Sequence, residues 1–243
     1  MHLKETLSHL MTENLNTIEL FNSKTIINTV NPHSYCLSQK DELFSEALKS
    51  SDILLPDGIG MVMASIILNG EKKLKIAGAD IHDYLLKEAS LKSLKVFYLG
   101  ASQNTLDKIE EKLKVEFPNI QVGSYSPPYK EQLDEMDSSK MISKVNEFKP
   151  DIVFVGMTAP KQEKWVFQNK NSLNTSVICS IGAVFDFYAG TVKRPSDFWI
   201  KLGLEWLLRF LREPRRLFHR NFISTPKFIA EIISYKVFGK GIL

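Results

Sequence analysis

From Lys24 to Ile181 the chain alternates short β-branched, apolar runs with longer segments of helical periodicity, and this alternation constrains the fold more than any other feature. Lys24–Val30, Asp52–Leu55, Lys95–Leu99, Ile120–Ser124, Asp151–Val155 and Ser176–Ile181 read as strands. Helices are predicted over Pro32–Lys49, Ile59–Leu68, Asp80–Ala89, Ser102–Phe117, Glu131–Phe148 and Lys161–Gln168, and a further one over Leu3–Leu20. Parallel strands need a crossover between them, so this spacing predicts an α/β fold with a largely parallel sheet and flanking helices.

In such sheets ligands bind beyond the carboxyl ends of the strands. Asn31, Asp57, Gly100, the Gly156–Gln162 segment and Gly182 all fall at those ends, which groups them at one site. The most informative is Leu54-Leu55-Pro56-Asp57-Gly58-Ile59-Gly60. Pro56 restricts one dihedral, and the glycines allow a tight turn and close backbone approach to a ligand. Pro-Asp-Gly by itself is equally a plain turn. Gly100-Ala101-Ser102 follows a strand as dinucleotide loops do, yet the full Gly-x-Gly-x-x-Gly is absent. One strand-end glycine is more often a packing residue, whereas three together favour a phosphate-bearing ligand.

The 243 residues, 44% hydrophobic and 24% charged, suffice for one large domain or two small lobes with a substantial core. Cys36 and Cys179 make no disulfide framework and read as reduced core residues. No His/Cys cluster has zinc spacing, and no Asp-x-Asp occurs, so no metal is expected. Met1-His2-Leu3-Lys4-Glu5 lacks a signal-peptide layout, and no stretch reaches the roughly 20 apolar residues of a membrane span, which together point to the cytoplasm.

The net charge of +3 hides an asymmetry. From Thr191 to Leu243 there are 11 Lys and Arg against 4 Asp and Glu, whereas the rest of the chain carries 20 against 24. After Gly190 the alternation stops, and Phe198–Arg212 becomes rich in large apolar residues, with Lys201, Glu205, Arg209 and Arg212 on one helical stripe. Pro214 then opens a helix bearing Arg215, Arg216, His219 and Arg220 beside Leu217, Phe218 and Phe222. This basic amphipathic appendage reads either as a core helix with a solvated stripe or as an interfacial helix pair on anionic lipid, and its wide apolar arc favours the second. No recognised nucleic-acid motif is present and the body is acidic, so nucleic acid is not expected as a partner.

Several motifs together resemble the WecG/TagA/CpsF glycosyltransferase family (glycosyltransferase family 26). They are Thr29-x-Asn31, Leu55-Pro56-Asp57-Gly58-x-Gly60, Gly156-x-x-x-Pro160-Lys161-Gln162-Glu163-x-Trp165, Gly182-Ala183-x-Phe185-Asp186-Phe187-x-Ala189-Gly190, and Gly203-Leu204-Glu205-Trp206 through Glu213-Pro214-Arg215-Arg216. The resemblance runs from about Thr25 to Phe222. It implies a Rossmann-like α/β catalytic domain of two halves over residues 1–190 and a membrane-associating helical appendage over 191–243. It also implies an inverting transfer of a sugar, often of N-acetylmannosamine type, from a UDP-sugar to a polyprenyl-diphosphate-linked sugar in cell-surface polysaccharide or teichoic acid synthesis. The enzyme would work at the inner face of the cell membrane, with the UDP-sugar as co-substrate and no cofactor.

By the same resemblance Asp57 is the candidate base. Thr29, Asn31, Gly58, Lys75, Gly100, Gly156, Lys161, Gln162, Glu163, Gly182, Asp186 and Arg194 would bind substrate. Arg209, Arg212, Arg215, Arg216 and Arg220 would meet the membrane or the acceptor diphosphate. Lys75 stands where the family commonly has Arg, and could hold a phosphate but not bidentately. The chemistry agrees, since a carboxylate within reach can take the acceptor hydroxyl's proton while backbone N–H groups and arginines neutralise the departing diphosphate. Asp186 is the runner-up base, or a turn cap. A nicotinamide-dependent oxidoreductase and a non-catalytic membrane-docking scaffold are the competing readings, and a homo-oligomer could cover apolar surface on the appendage.

Overall fold

The β-branched and aromatic runs form six strands, and all five pairings between them are parallel. The computed structural model describes residues 2–11, 14–18, 20–192, 207, 210–211 and 213–242. The strands are β1 (Thr25–Val30), β2 (Ile53–Pro56), β3 (Lys95–Gly100), β4 (Gln121–Tyr125), β5 (Ile152–Gly156) and β6 (Val177–Ser180), in the sheet order β2-β1-β6-β5-β3-β4. The described helices are α1 (Leu3–His9), α2 (Pro32–Ser38), α3 (Glu42–Lys49), α4 (Ile59–Asn69), α5 (Gly78–Leu91), α6 (Gln103–Glu116), α7 (Glu135–Phe148), α8 (Lys161–Asn169), α9 (Val184–Tyr188), α10 (Pro214–Phe218) and α11 (Thr225–Phe238). A π-helical segment, His219–Ser224, joins α10 to α11.

Side chains alternate across each strand, so the two faces of the sheet bury different sets. Ile27, Tyr98, Phe154 and Cys179 pack under α5, α6 and α9, whereas Ile26, Phe97, Val153 and Ile178 pack under α7 and α8. A third cluster lies at the β2 edge, where Leu3, Leu7, Phe44, Leu54 and Met61 meet Phe228 and Ile232 of α11. Each such leucine contributes roughly 1.5–3 kcal/mol by leaving water, so α11 is packed into the body's core. Both cysteines are buried and free, as expected.

Three helical expectations change. The helix read over Leu3–Leu20 ends at His9, because Leu10 and Met11 run alongside β2 and the Met11 N–H donates to the Leu54 carbonyl at 3.0 Å. The helix read over Pro32–Lys49 is two helices, the second started by Asp41, whose carboxylate accepts from the Phe44 N–H. The helix read from Glu131 starts at Glu135, where Asp134 caps it. The helix read over Phe198–Arg212 lies largely outside the described residues. Among the described residues no helix is long and apolar enough to cross a membrane.

Candidate active site

Because every strand is parallel, all six carboxyl ends open on one edge of the sheet. At the β2–β1 end, Thr29 pairs with Leu55 and Val30 with Pro56. The Asp57 N–H donates to the Val30 carbonyl at 2.9 Å, which places Asp57 beside Asn31. Asn31 caps α2, its side-chain oxygen accepting from the His33 and Ser34 N–H groups, each at 3.0 Å. Gly58 starts α4 at φ 95°, a conformation that a side chain would strain, so Asp57 is presented on a turn that needs glycine next to it. Lys75 is exposed, and the following Ile76 N–H donates to the Pro56 carbonyl at 3.1 Å, which brings the 71–77 loop back to the Asp57 turn.

The second half of the site lies at the ends of β6, β5 and β3. The chain leaves β3 outward to β4 but leaves β5 back towards β6, and such a divergence opens a ligand crevice. Gly100 and Gly156 pair there, and a Cβ on Gly100 would stand 2.5 Å from the Gly156 carbonyl oxygen. Ala101 takes φ 62° and donates to that carbonyl at 2.9 Å. The Gln162 side-chain oxygen accepts from the Met157 N–H at 3.1 Å, and its amide nitrogen donates to Glu163 at 2.8 Å. Gly182, at φ 41°, lies against both the Met157 carbonyl and Gln162. Gln162 thereby braces the loop after β5 and lies against the Gly182 turn after β6. Glu163 is fully buried with Oε2 unpartnered, and burial pushes its carboxyl up to about 7.

Other expected residues sit further out. The Lys161 ammonium donates to the Lys130 carbonyl at 2.8 Å. Asp186 accepts from the Thr105 and Thr191 hydroxyls, each at 3.2 Å, so its carboxylate joins α9 to α6. Arg215 and Arg216 lie on α10 and Arg215 is exposed, while Arg194, Arg209 and Arg212 lie outside the described residues.

One cluster was not grouped by the sequence. His33, two residues after Asn31, shares a 2.8 Å hydrogen bond with Ser224 of the π segment, and Ser224 reaches His219 at 3.5 Å. Burial, then the Arg220 and His219 charges, hold the His33 imidazole down to about 4, so it stays neutral near pH 7. A π turn widens the helix and is frequent at functional sites. Here it packs against α2 and brings the Arg220 charge close enough to act on His33. Only the adjacency of His33 to Asn31 could have pointed to it.

With this geometry in place, comparison with known proteins is decisive. The family model described as Glycosyl transferase WecG/TagA/CpsF family matches residues 4–241. The chain belongs to this family. It is therefore a glycosyltransferase, and the oxidoreductase and scaffold readings fall away. Among curated relatives it is similar to the N-acetylglucosaminyldiphosphoundecaprenol N-acetyl-beta-D-mannosaminyltransferase of Bacillus subtilis (strain 168), at 34% identity over 86% of this chain and 78% of the relative. The enzyme of the same name from Bacillus spizizenii (strain ATCC 23059 / NRRL B-14472 / W23) is 32% identical over 96% of this chain and 87% of its own. That of Staphylococcus aureus (strain MW2) is 28% identical over 93% and 87%. WecG/TagA/CpsF membership thus spans both the sheet and the C-terminal helix.

Proposed function

We propose that this glycosyltransferase moves an N-acetylmannosamine-type sugar from a UDP-sugar to the sugar hydroxyl of a polyprenyl-diphosphate-linked N-acetylglucosamine, with inversion, at the inner face of the cell membrane. Asp57 is the general base. It takes the acceptor hydroxyl's proton as that oxygen bonds to the anomeric carbon and the bond to UDP breaks on the opposite face. UDP leaves as an anion near the ends of β3, β5 and β6, where backbone N–H groups and the appendage's arginines offset its charge. No divalent metal is required, since the chain has no Asp-x-Asp pair to chelate one. The observation that carries this reading is the placement of Asp57 on a glycine-dependent turn at a strand end, bonded to the last residue of β1, which Asn31 follows. The printed names of the relatives support the choice of donor sugar and acceptor.

A donor screen tests it. Purified protein is mixed with a panel of UDP-sugars and a short-chain polyprenyl-diphosphate-GlcNAc acceptor, with and without chelator, and UDP release is followed. The expected result is release with one donor, dependent on acceptor and indifferent to chelator. Failure to bind UDP in folded protein overturns the reading, and loss of turnover in chelator overturns its metal-free part.

A further inference from the structure

Helix α4 is 11 residues long and contains no charged residue. It buries Met61, Val62, Ala64 and Ser65 against the body. Its other side exposes Ile59 (62%), Met63 (46%), Ile66 (40%) and Ile67 (36%), spaced i, i+4, i+7 and i+8, which is one continuous helical stripe. Helix α11 does the same with Ile229, Ile233 and Val237, at i, i+4 and i+8, each at least half exposed.

The two helices are neighbours. A Cβ on Gly60 would lie 3.8 Å from the Phe228 ring, and Lys236 donates to the Ile67 carbonyl at 3.1 Å. The contact points advance together, from 60 to 67 on one helix and from 228 to 236 on the other, so α4 and α11 run side by side in the same sense. At about 100° of turn per residue, each exposed stripe falls opposite the residues its helix buries. Both therefore lie on the outer side of the shared seam and form one apolar surface.

We infer that this two-helix surface is a lipid seat, and that α4, not the C-terminal helix alone, rests on an anionic bilayer. The charge around it selects that occupant. Residues 213–242 carry six Lys and Arg, and their two acids are Glu213 and Glu231. Glu231 is buried, accepting from the Tyr35 hydroxyl and the Ile242 N–H. Arg215, Lys227, Lys236 and Lys240 are exposed on the C-terminal segment, as are Lys72 and Lys75 in the loop leaving α4, where the exposed Glu71 is paired with the buried Lys73 at 2.9 Å. A symmetric pair of chains would set these like charges against one another. An anionic headgroup layer matches all of them while the apolar stripes enter the acyl boundary. The inference deepens the proposed function, resting on its lipid-linked acceptor. Since α4 starts at Gly58, seating it on the bilayer brings the Asp57 turn to the headgroups, where a polyprenyl diphosphate presents its sugar.

The test uses the full chain and vesicles of phosphatidylglycerol and phosphatidylcholine, with pure phosphatidylcholine for comparison. Met63→Glu/Ile66→Glu is expected to lower partitioning onto anionic vesicles by about tenfold or more, with the melting temperature and turnover on a short-chain acceptor unchanged. Ile233→Glu/Val237→Glu reads the C-terminal half separately. An independent readout avoids charged variants: Ile66→Cys carrying an environment-sensitive fluorophore should shift to the blue on anionic vesicles, and Val115→Cys on α6 should not. Wild-type binding by the α4 variant together with no shift at position 66 overturns the proposal. So does a solution dimer that Met63→Glu/Ile66→Glu splits without loss of vesicle binding, which would make a second copy the occupant. Vesicle binding needs no turnover, so a failed donor screen would sink the proposed donor and acceptor and leave this result standing.

Discussion

Helices α6 and α11 are each 14 residues long and divide their side chains in opposite ways. α6 turns Leu106, Ile109 and Leu113 inward and, Val115 apart, shows water only polar residues such as Lys108, Glu111 and Lys112. α11 takes Glu231 and Ser234 inward beside Phe228 and Ile232, and presents Ile229, Ile233, Val237 and Phe238 outward. The first helix is partitioned between a core and water. The second packs polar side chains against the body and leaves an apolar stripe, flanked by Lys227 and Lys236, on its outer side. The contrast separates the surface proposed for docking from the strand ends proposed for chemistry, the two meeting at the turn between Asp57 and α4.

The largest expected effect tests that separation. Asp57→Asn should lower kcat by about 10²- to 10⁴-fold, with melting temperature and vesicle binding unchanged; a parallel loss of vesicle binding would break the comparison. Next come the two helices themselves. Leu113→Ala on α6 should cost about 2–5 kcal/mol in urea unfolding, whereas Ile233→Ala on α11 should change stability by less than about 0.5 kcal/mol. Vesicle affinity should show the reverse order, and equal stability losses would place α11 among ordinary core helices.

Within the body, a Cβ on Gly156 would meet the Phe185 ring at 2.5 Å. Gly156→Ala should therefore cost about 1–3 kcal/mol and reduce turnover, again without touching vesicle binding. The last prediction is a pH slope. The Glu163 carboxyl is raised from 4.5 to about 7 in the folded chain, so between those values the folded state holds more protons than the unfolded one. Its contribution to stability is full below pH 4.5 and is lost as pH rises through 7. Glu163→Gln should remove that slope, gaining urea resistance over wild type at pH 8 but not at pH 4; an unchanged slope would place the titration elsewhere.

Most of the sheet was legible. Strand runs rich in Ile and Val end at Asn31-Pro32, Gly100, Gly156 and Gly182, and the structure ends each strand within a residue or two of those marks. What misled was local periodicity with a non-local competitor. Leu3, Leu7, Leu10 and Met11 have helical spacing, yet past His9 the backbone finds hydrogen bonds on β2 instead. Asp41 was readable as a cap in principle, but the apolar pattern running through it was stronger. At the site, Asn31, Asp57, Gly100, Gly156 and Gly182 could be grouped because a parallel sheet puts all carboxyl ends on one edge. His33, Ser224 and His219 could not be grouped, since nothing in the order of residues says that a residue 191 positions away will lie on α2.

The sequence by itself determined the strands, the grouping of Asn31, Asp57, Gly100, Gly156 and Gly182 at one edge of the sheet and the basic, apolar character of the C-terminal part. Each of these follows from side-chain type and short-range spacing. Only the tertiary structure decided the order β2-β1-β6-β5-β3-β4, the burial of Glu163 and the laying of α11 beside α4. The reason is physical: a strand offers the same hydrogen-bonding ladder to any neighbour, and a helix offers its apolar stripe to any apolar surface. Which partner each takes is settled by how the whole set packs, so that two helices separated by more than 150 residues came to share one outer face.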